Sequence, residues 1–126
     1  MKRIITVLCL TLFLGTTFGQ SKELKSLSAH EFEQLLKDKK VQLVDVRTPD
    51  EYQSGHIKGA KNINIGDPVK FEAEAAKLNK KVPVAVYCRS GRRSKIAGQR
   101  LIDKGFVVYD LNQGILEWTN SGKSVE

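Results

Sequence analysis

Apolar residues along this chain fall into short runs whose period alternates between that of a helix and that of a strand. Phe32, Leu35 and Leu36 recur at helical spacing behind Ser28 and Glu31, a pair that predicts a capping box opening a helix. Val41-Gln42-Leu43-Val44-Asp45-Val46 reads as a strand that ends in charged groups. Thr48-Pro49-Asp50-Glu51 forms a second capping box, with proline at the first helical position, and its helix is expected to stop near Gly55. Ile63-Asn64-Ile65 predicts a brief strand, and Phe71, Ala75 and Leu78 predict a helix after the Gly66-Asp67-Pro68 turn. Val84-Ala85-Val86-Tyr87 is nearly all apolar, as a central parallel strand covered on both faces requires. A further helix is expected from about Arg92 to Lys104, closed by Gly105, with Ala97, Gly98, Leu101 and Ile102 on one buried stripe and Gly98 allowing close approach to the sheet. Phe106-Val107-Val108-Tyr109 predicts the last strand and Ile115 to Trp118 a short terminal helix. With an opening strand near Leu24 to Leu27, five strands alternate with helices. That order predicts an α/β domain on a central, mainly parallel five-stranded sheet flanked by helices on both faces. Ligands of such sheets bind outside the carboxyl ends of the strands, the edge to which Asp45 and Cys88 are assigned.

The first nineteen residues follow a different pattern. Lys2 and Arg3 precede an apolar stretch of eleven residues from Ile4 to Leu14, and Thr17-Phe18-Gly19 offers small residues at the −3 and −1 positions of a cleavage site. This is the pattern of a signal peptide, residues 1–19, with Gln20 opening the mature chain. An apolar stretch of eleven residues falls short of the roughly 20 that span a bilayer, so no stable membrane insertion is expected once the leader is removed. The expected destination is outside the cytoplasm, in a periplasm or the medium. Residues 20–126 are then one domain with one core.

Loss of Lys2 and Arg3 takes the formal charge from +7 to +5. Part of that excess lies next to Cys88, and the other lysines are scattered over helix faces and chain ends. No basic stripe interleaved with aromatics is present, and no nucleic-acid partner is expected. Cys9 leaves with the leader, so the exported chain carries Cys88 alone and forms no internal disulfide. One cysteine and two distant histidines, His30 and His56, lack the spacing of a metal site, and neither metal nor cofactor is expected.

Cys88 is the centre of the chemistry. It ends the apolar run at Tyr87 and is followed by Arg89-Ser90-Gly91-Arg92-Arg93-Ser94, a short loop leading into a helix. Backbone N–H groups and a helix start converge there, and Arg89, Arg92 and Arg93 add positive charge. Such a thiol is expected to ionise readily, and the thiolate is the attacking form. The loop thiol is also expected to contribute little to packing. Arg93 is the first choice among the arginines for an anionic substrate. Arg47 and Glu51, four residues apart, are expected to pair, with Asp45 beside them as a brace, and His56 is expected to brace a turn.

Three blocks make the chain resemble the rhodanese family of sulfurtransferases. Leu43-Val44-Asp45-Val46-Arg47 with Glu51-Tyr52 and Gly55-His56-Ile57-Lys58-Gly59-Ala60-Lys61-Asn62 is similar to the family's upstream signature. Cys88-Arg89-Ser90-Gly91-Arg92-Arg93-Ser94 is similar to its active-site loop, and Gly114-Ile115-Leu116-Glu117-Trp118 to its C-terminal block. The resemblance implies that Cys88 takes a sulfur atom from a small anionic donor such as thiosulfate, holds it as a persulfide and passes it to cyanide or a thiol. Residues 89–94 would then bind the substrate, with Asp45, Arg47, Glu51 and His56 bracing the site. Some thiosulfate-using members carry lysine where this chain has Ser90, and Gln113 stands where the C-terminal block often has glycine. Two alternatives remain at this point: a non-catalytic rhodanese-type binding module, and a cysteine phosphatase. Phosphatases of related fold separate cysteine and arginine by five residues, whereas Cys88 and Arg93 are separated by four.

Overall fold

The protein is described here by a computed structural model covering residues 23–126, so the leader expected at residues 1–19 and its cleavage point lie outside the described residues. Strands β1 (Lys25–Leu27), β2 (Gln42–Asp45), β3 (Lys61–Asn62), β4 (Val84–Tyr87) and β5 (Val108–Leu111) form one sheet in the order β1-β5-β4-β2-β3. Every pairing is parallel. Helices α1 (Ala29–Asp38), α2 (Pro49–Ser54), α3 (Pro68–Ala75), α4 (Arg92–Asp103) and α5 (Gly114–Asn120) supply the crossovers between strands and the end of the chain. No helix among the described residues is long and apolar enough to cross a membrane.

The period of two along β4 divides the core. Val84, Val86 and Cys88 face one side, packed with Phe71 and Ala75 of α3 and Ala97, Leu101 and Ile102 of α4. Ala85 and Tyr87 face the other, packed with Ala29, Phe32 and Leu35 of α1 and Ile115 and Trp118 of α5. Both capping boxes form, Ser28 with Glu31 and Thr48 with Glu51. Gly98 makes its expected close approach, to the Leu24 and Val108 side chains.

Two strands are displaced from the positions that the apolar pattern predicts. β5 starts at Val108 because Phe106 belongs to the end of α4: the Gly105 N–H donates to Ile102 O at 2.9 Å and the Phe106 N–H to Leu101 O at 3.1 Å. These two bonds close the helix and turn the Phe106 ring into the core. The strand instead runs on through Asp110, a polar residue that period alone does not assign to a buried sheet. β3 begins at Lys61, and Ile63 and Ile65, although buried, follow it as irregular backbone whose N–H groups donate to Asp45 O and Val46 O.

Candidate active site

β2 and β4 are adjacent and end in register, Asp45 opposite Tyr87, so both deliver their following residues to the same edge of the sheet. Cys88 leaves β4 there and is 1% exposed, a member of the core cluster rather than the lightly packed loop thiol expected. Its chain passes at once into the loop that opens α4. The Gly91 N–H donates to Cys88 Sγ at 3.1 Å and the Ser94 N–H at 3.3 Å. Both donors belong to the start of α4, where the macrodipole also favours a negative sulfur.

Two glycines hold that loop against its neighbours. Gly91 caps α4 at φ +100°, and a Cβ there would lie 1.9 Å from Asn112 O. Gly114, at φ +69°, would place a Cβ 2.2 Å from Arg89 O. Only a residue without a side chain tolerates either position. The start of α5 therefore docks directly on the loop, with the Ile115 N–H donating to Cys88 O at 2.9 Å and the Leu116 N–H to Arg89 O at 3.1 Å. A shallow groove lined by Ser90, Gln113, Leu116 and Glu117 opens beside this contact.

The arginines divide by role. Arg93 forms a two-pronged ion pair with Glu51, Nη1 to Oε1 at 2.8 Å and Nη2 to Oε2 at 2.9 Å. The Arg93 hydrogen bonds, helped by the backbone and hydroxyl of Thr48 and opposed by burial, pull the Glu51 carboxyl from 4.5 down to about 2. Glu51 in turn raises the Arg93 guanidinium above its ordinary value. The expected substrate-facing arginine is thus held by α2, whereas the exposed Arg89 and Arg92 carry no ion pair among the described residues.

The expected Arg47–Glu51 pair does not form. Spacing of four places side chains together only inside a helix, and Arg47 lies outside α2, before its N-cap Thr48. Arg47 turns back to Asp45 instead, Nε to Oδ1 at 3.0 Å and Nη2 to Oδ2 at 2.6 Å, and donates to Gly55 O at 2.7 Å. Burial opposes the Arg47 charge, but the Asp45 carboxylate outweighs it and the guanidinium stays above its ordinary value. Asp45 is fully buried. The pair braces the end of β2 and does not touch Cys88. His56 braces a turn as expected: its Nδ1 lies 3.0 Å from Tyr52 O, its ring stacks on Tyr52 at 3.8 Å, and its backbone exchanges two hydrogen bonds with Glu126. Among the described residues no three His, Cys, Asp or Glu side chains gather as a metal site would require.

Sequence reading missed Lys95, Asp110 and Ser26. Ser94 Oγ donates to the buried Asp110 Oδ1, Ser26 Oγ donates to Asp110 Oδ2 at 3.1 Å, and Lys95 Nζ lies 3.0 Å from the same oxygen. The signal was a lone carboxylate, Asp110, among the apolar residues of a strand.

The geometry can be set beside known proteins. A profile of the rhodanese-like domain matches residues 28–121. The chain is similar to the thiosulfate sulfurtransferase GlpE of Shewanella oneidensis, 36% identical over 95 residues that cover 75% of this chain and 91% of that protein. It is also similar to the uncharacterized protein YqhL of Bacillus subtilis, 36% identical over 100 residues covering 79% and 75% of the two chains. Among solved structures, the rhodanese-related protein of Thermoplasma volcanium superposes with a TM-score of 0.73 over 81% of this chain and 97% of its own, at 28% identity.

Proposed function

The chain belongs to the family of rhodanese-like domains, a family of sulfurtransferase type, and on that premise we propose that it is an active sulfurtransferase working through a persulfide on Cys88. The observation that carries the proposal is the convergence of the Gly91 and Ser94 N–H groups on Cys88 Sγ. Such donors support the anion that must attack and remain placed to hold the sulfur that arrives.

In the first half-reaction the Cys88 thiolate attacks the outer sulfur of thiosulfate or another sulfane donor. A new S–S bond forms on Cys88 as the donor's S–S bond breaks, and the rest of the donor, sulfite in the case of thiosulfate, leaves with the bonding electron pair. In the second, cyanide or a thiolate attacks the outer sulfur of the persulfide, and Cys88 departs as the thiolate it began as. No net redox change falls on the protein, and no cofactor is called for. A thiol only 1% exposed admits a terminal sulfur atom more readily than a bulky electrophile. The exposed guanidinium groups of Arg89 and Arg92 supply positive charge for an anionic donor.

Two further readings weaken against the same geometry. A phosphate cradle needs its arginine turned inward, whereas Arg93 is engaged with Glu51. A pure binding module has no use for two N–H groups aimed at a sulfur. The leader pattern extends the proposal to a protein acting outside the cytoplasm, for which N-terminal sequencing of the exported protein should begin at Gln20.

The test is mass spectrometry after thiosulfate treatment, which should show one added sulfur atom on the Cys88 peptide, released by cyanide. Cys88→Ser retains an acceptor for both N–H groups and should fold normally while transferring no sulfur. Retention of most activity by that variant would overturn the mechanism.

A further inference from the structure

The geometry points to Asp110 and Lys95 as positioning residues of the Cys88 cradle, a charged clamp that sets the direction of the two N–H groups aimed at the sulfur. As a statement about catalysis it rests on the sulfur-transfer reading above. A carboxylate has no packing reason to occupy β5, where Val108 and Leu111 are buried apolar residues and Asp110 itself is 0% exposed. Burying such a group is costly unless it is paired and hydrogen-bonded. Asp110 is both. It lies in register with Ser26 of β1, accepts from the Ser26 and Ser94 hydroxyls, and forms an ion pair with Lys95 Nζ.

The Lys95 ammonium makes one ion pair and two hydrogen bonds, and each goes to a different segment. They reach Asp110 Oδ2 at 3.0 Å on β5, Gly91 O at 3.1 Å in the Cys88 loop and Asn112 O at 3.0 Å in the connection to α5. The loop and the connection meet where Gly91 has no room for a Cβ against Asn112 O, so the ammonium straps together the point of closest approach. The clamp therefore grips each donor residue by another of its atoms: Ser94 by its hydroxyl, Gly91 by its carbonyl. The N–H groups of those same residues reach Cys88 Sγ.

A three-way set of acceptors suits a compact ammonium and does not suit the flat fork of a guanidinium. This separates geometry from charge. Lys95→Arg keeps the charge and loses the three-way grip, and Lys95 is partly exposed, so the variant can be expected to fold.

The experiment uses the full chain carrying Lys95→Arg, Lys95→Met or Asp110→Asn. Leu36→Ala, on the opposite face of the sheet, serves as a control that lowers the melting temperature without touching the loop. Three readouts are taken: the second-order rate of Cys88 alkylation by iodoacetamide at neutral pH, kcat and KM for transfer from thiosulfate to cyanide, and the melting temperature. Both lysine variants should slow alkylation and lower kcat about tenfold, with KM within about twofold, as expected when a placed group is misdirected by less than an ångström. Leu36→Ala should leave alkylation and kcat at their natural values. Wild-type rates in Lys95→Arg would overturn the clamp in favour of plain charge, and equal losses in Leu36→Ala would reduce it to general stability. Alkylation that depends on the clamp in a protein that transfers no sulfur would uphold the clamp and sink the sulfur-transfer reading.

Discussion

Glu51→Gln offers a selective perturbation of the site, because glutamine still serves the capping box at Thr48 and only the ion pair with Arg93 is lost. In the folded protein the Glu51 carboxyl titrates at about 2 instead of 4.5, and at about 1.4 kcal/mol per tenfold this bounds the pair's contribution at roughly 3 kcal/mol. The side chains are 33% and 29% exposed, so water screens the pair and the expected value is about 1–2 kcal/mol. The sign follows from a folded value below the unfolded one. The stabilisation is complete above the unfolded value, declines as pH falls below 4.5 and is gone near 2. Urea unfolding of the natural protein and of Glu51→Gln at pH 7 and pH 3 measures it directly. The variant should be less stable by about 1–2 kcal/mol at pH 7, and the gap should shrink to under half of that at pH 3. An equal gap at the two pH values would refute the ionic origin of the contact.

Gly114→Ala should destabilise by roughly 3 kcal/mol, about 1 for an alanine at positive φ and about 1 for each hydrogen bond lost as α5 is pushed off Arg89 O. A thermal melt lowered by more than about 10 °C would show this, and an unchanged melt would contradict the close approach. Asp45→Asn strips the buried Arg47 of its counter-charge and should cost about 3–5 kcal/mol by chemical denaturation; a loss below about 1 kcal/mol would mean that the pair is solvated. Hydrolysis of an aryl phosphate by the natural protein should be negligible, because Arg93 is held by Glu51. Efficient turnover of such a substrate would overturn the sulfur assignment.

Local chemistry wrote much of this protein in a readable form. Both capping boxes are short-range devices, complete within four residues, so Ser28 with Glu31 and Thr48 with Glu51 marked their helices without reference to the rest of the chain. The unbroken run Val84 to Tyr87 announced a strand buried on both faces, and the alternation of strands with helices announced a parallel sheet with Cys88 at its carboxyl edge. What lay beyond the sequence were contacts between residues far apart in it. Spacing of four suggested Arg47 with Glu51, but the helix starts only at Pro49, two residues too late, and each found a partner elsewhere: Asp45 two residues back, and Arg93 across the sheet edge. The hydrophobic period could not foresee that Phe106 would serve the end of α4, nor that Asp110 would enter the buried strand. Periodicity ranks residues by their affinity for water, whereas Asp110 is buried through Ser26, Ser94 and Lys95, which only folding assembles. The sequence by itself determined the element order and the place of the thiol. Tertiary structure decided which charges meet around it, because charge pairing depends on distance in space, which the chain's own order does not contain.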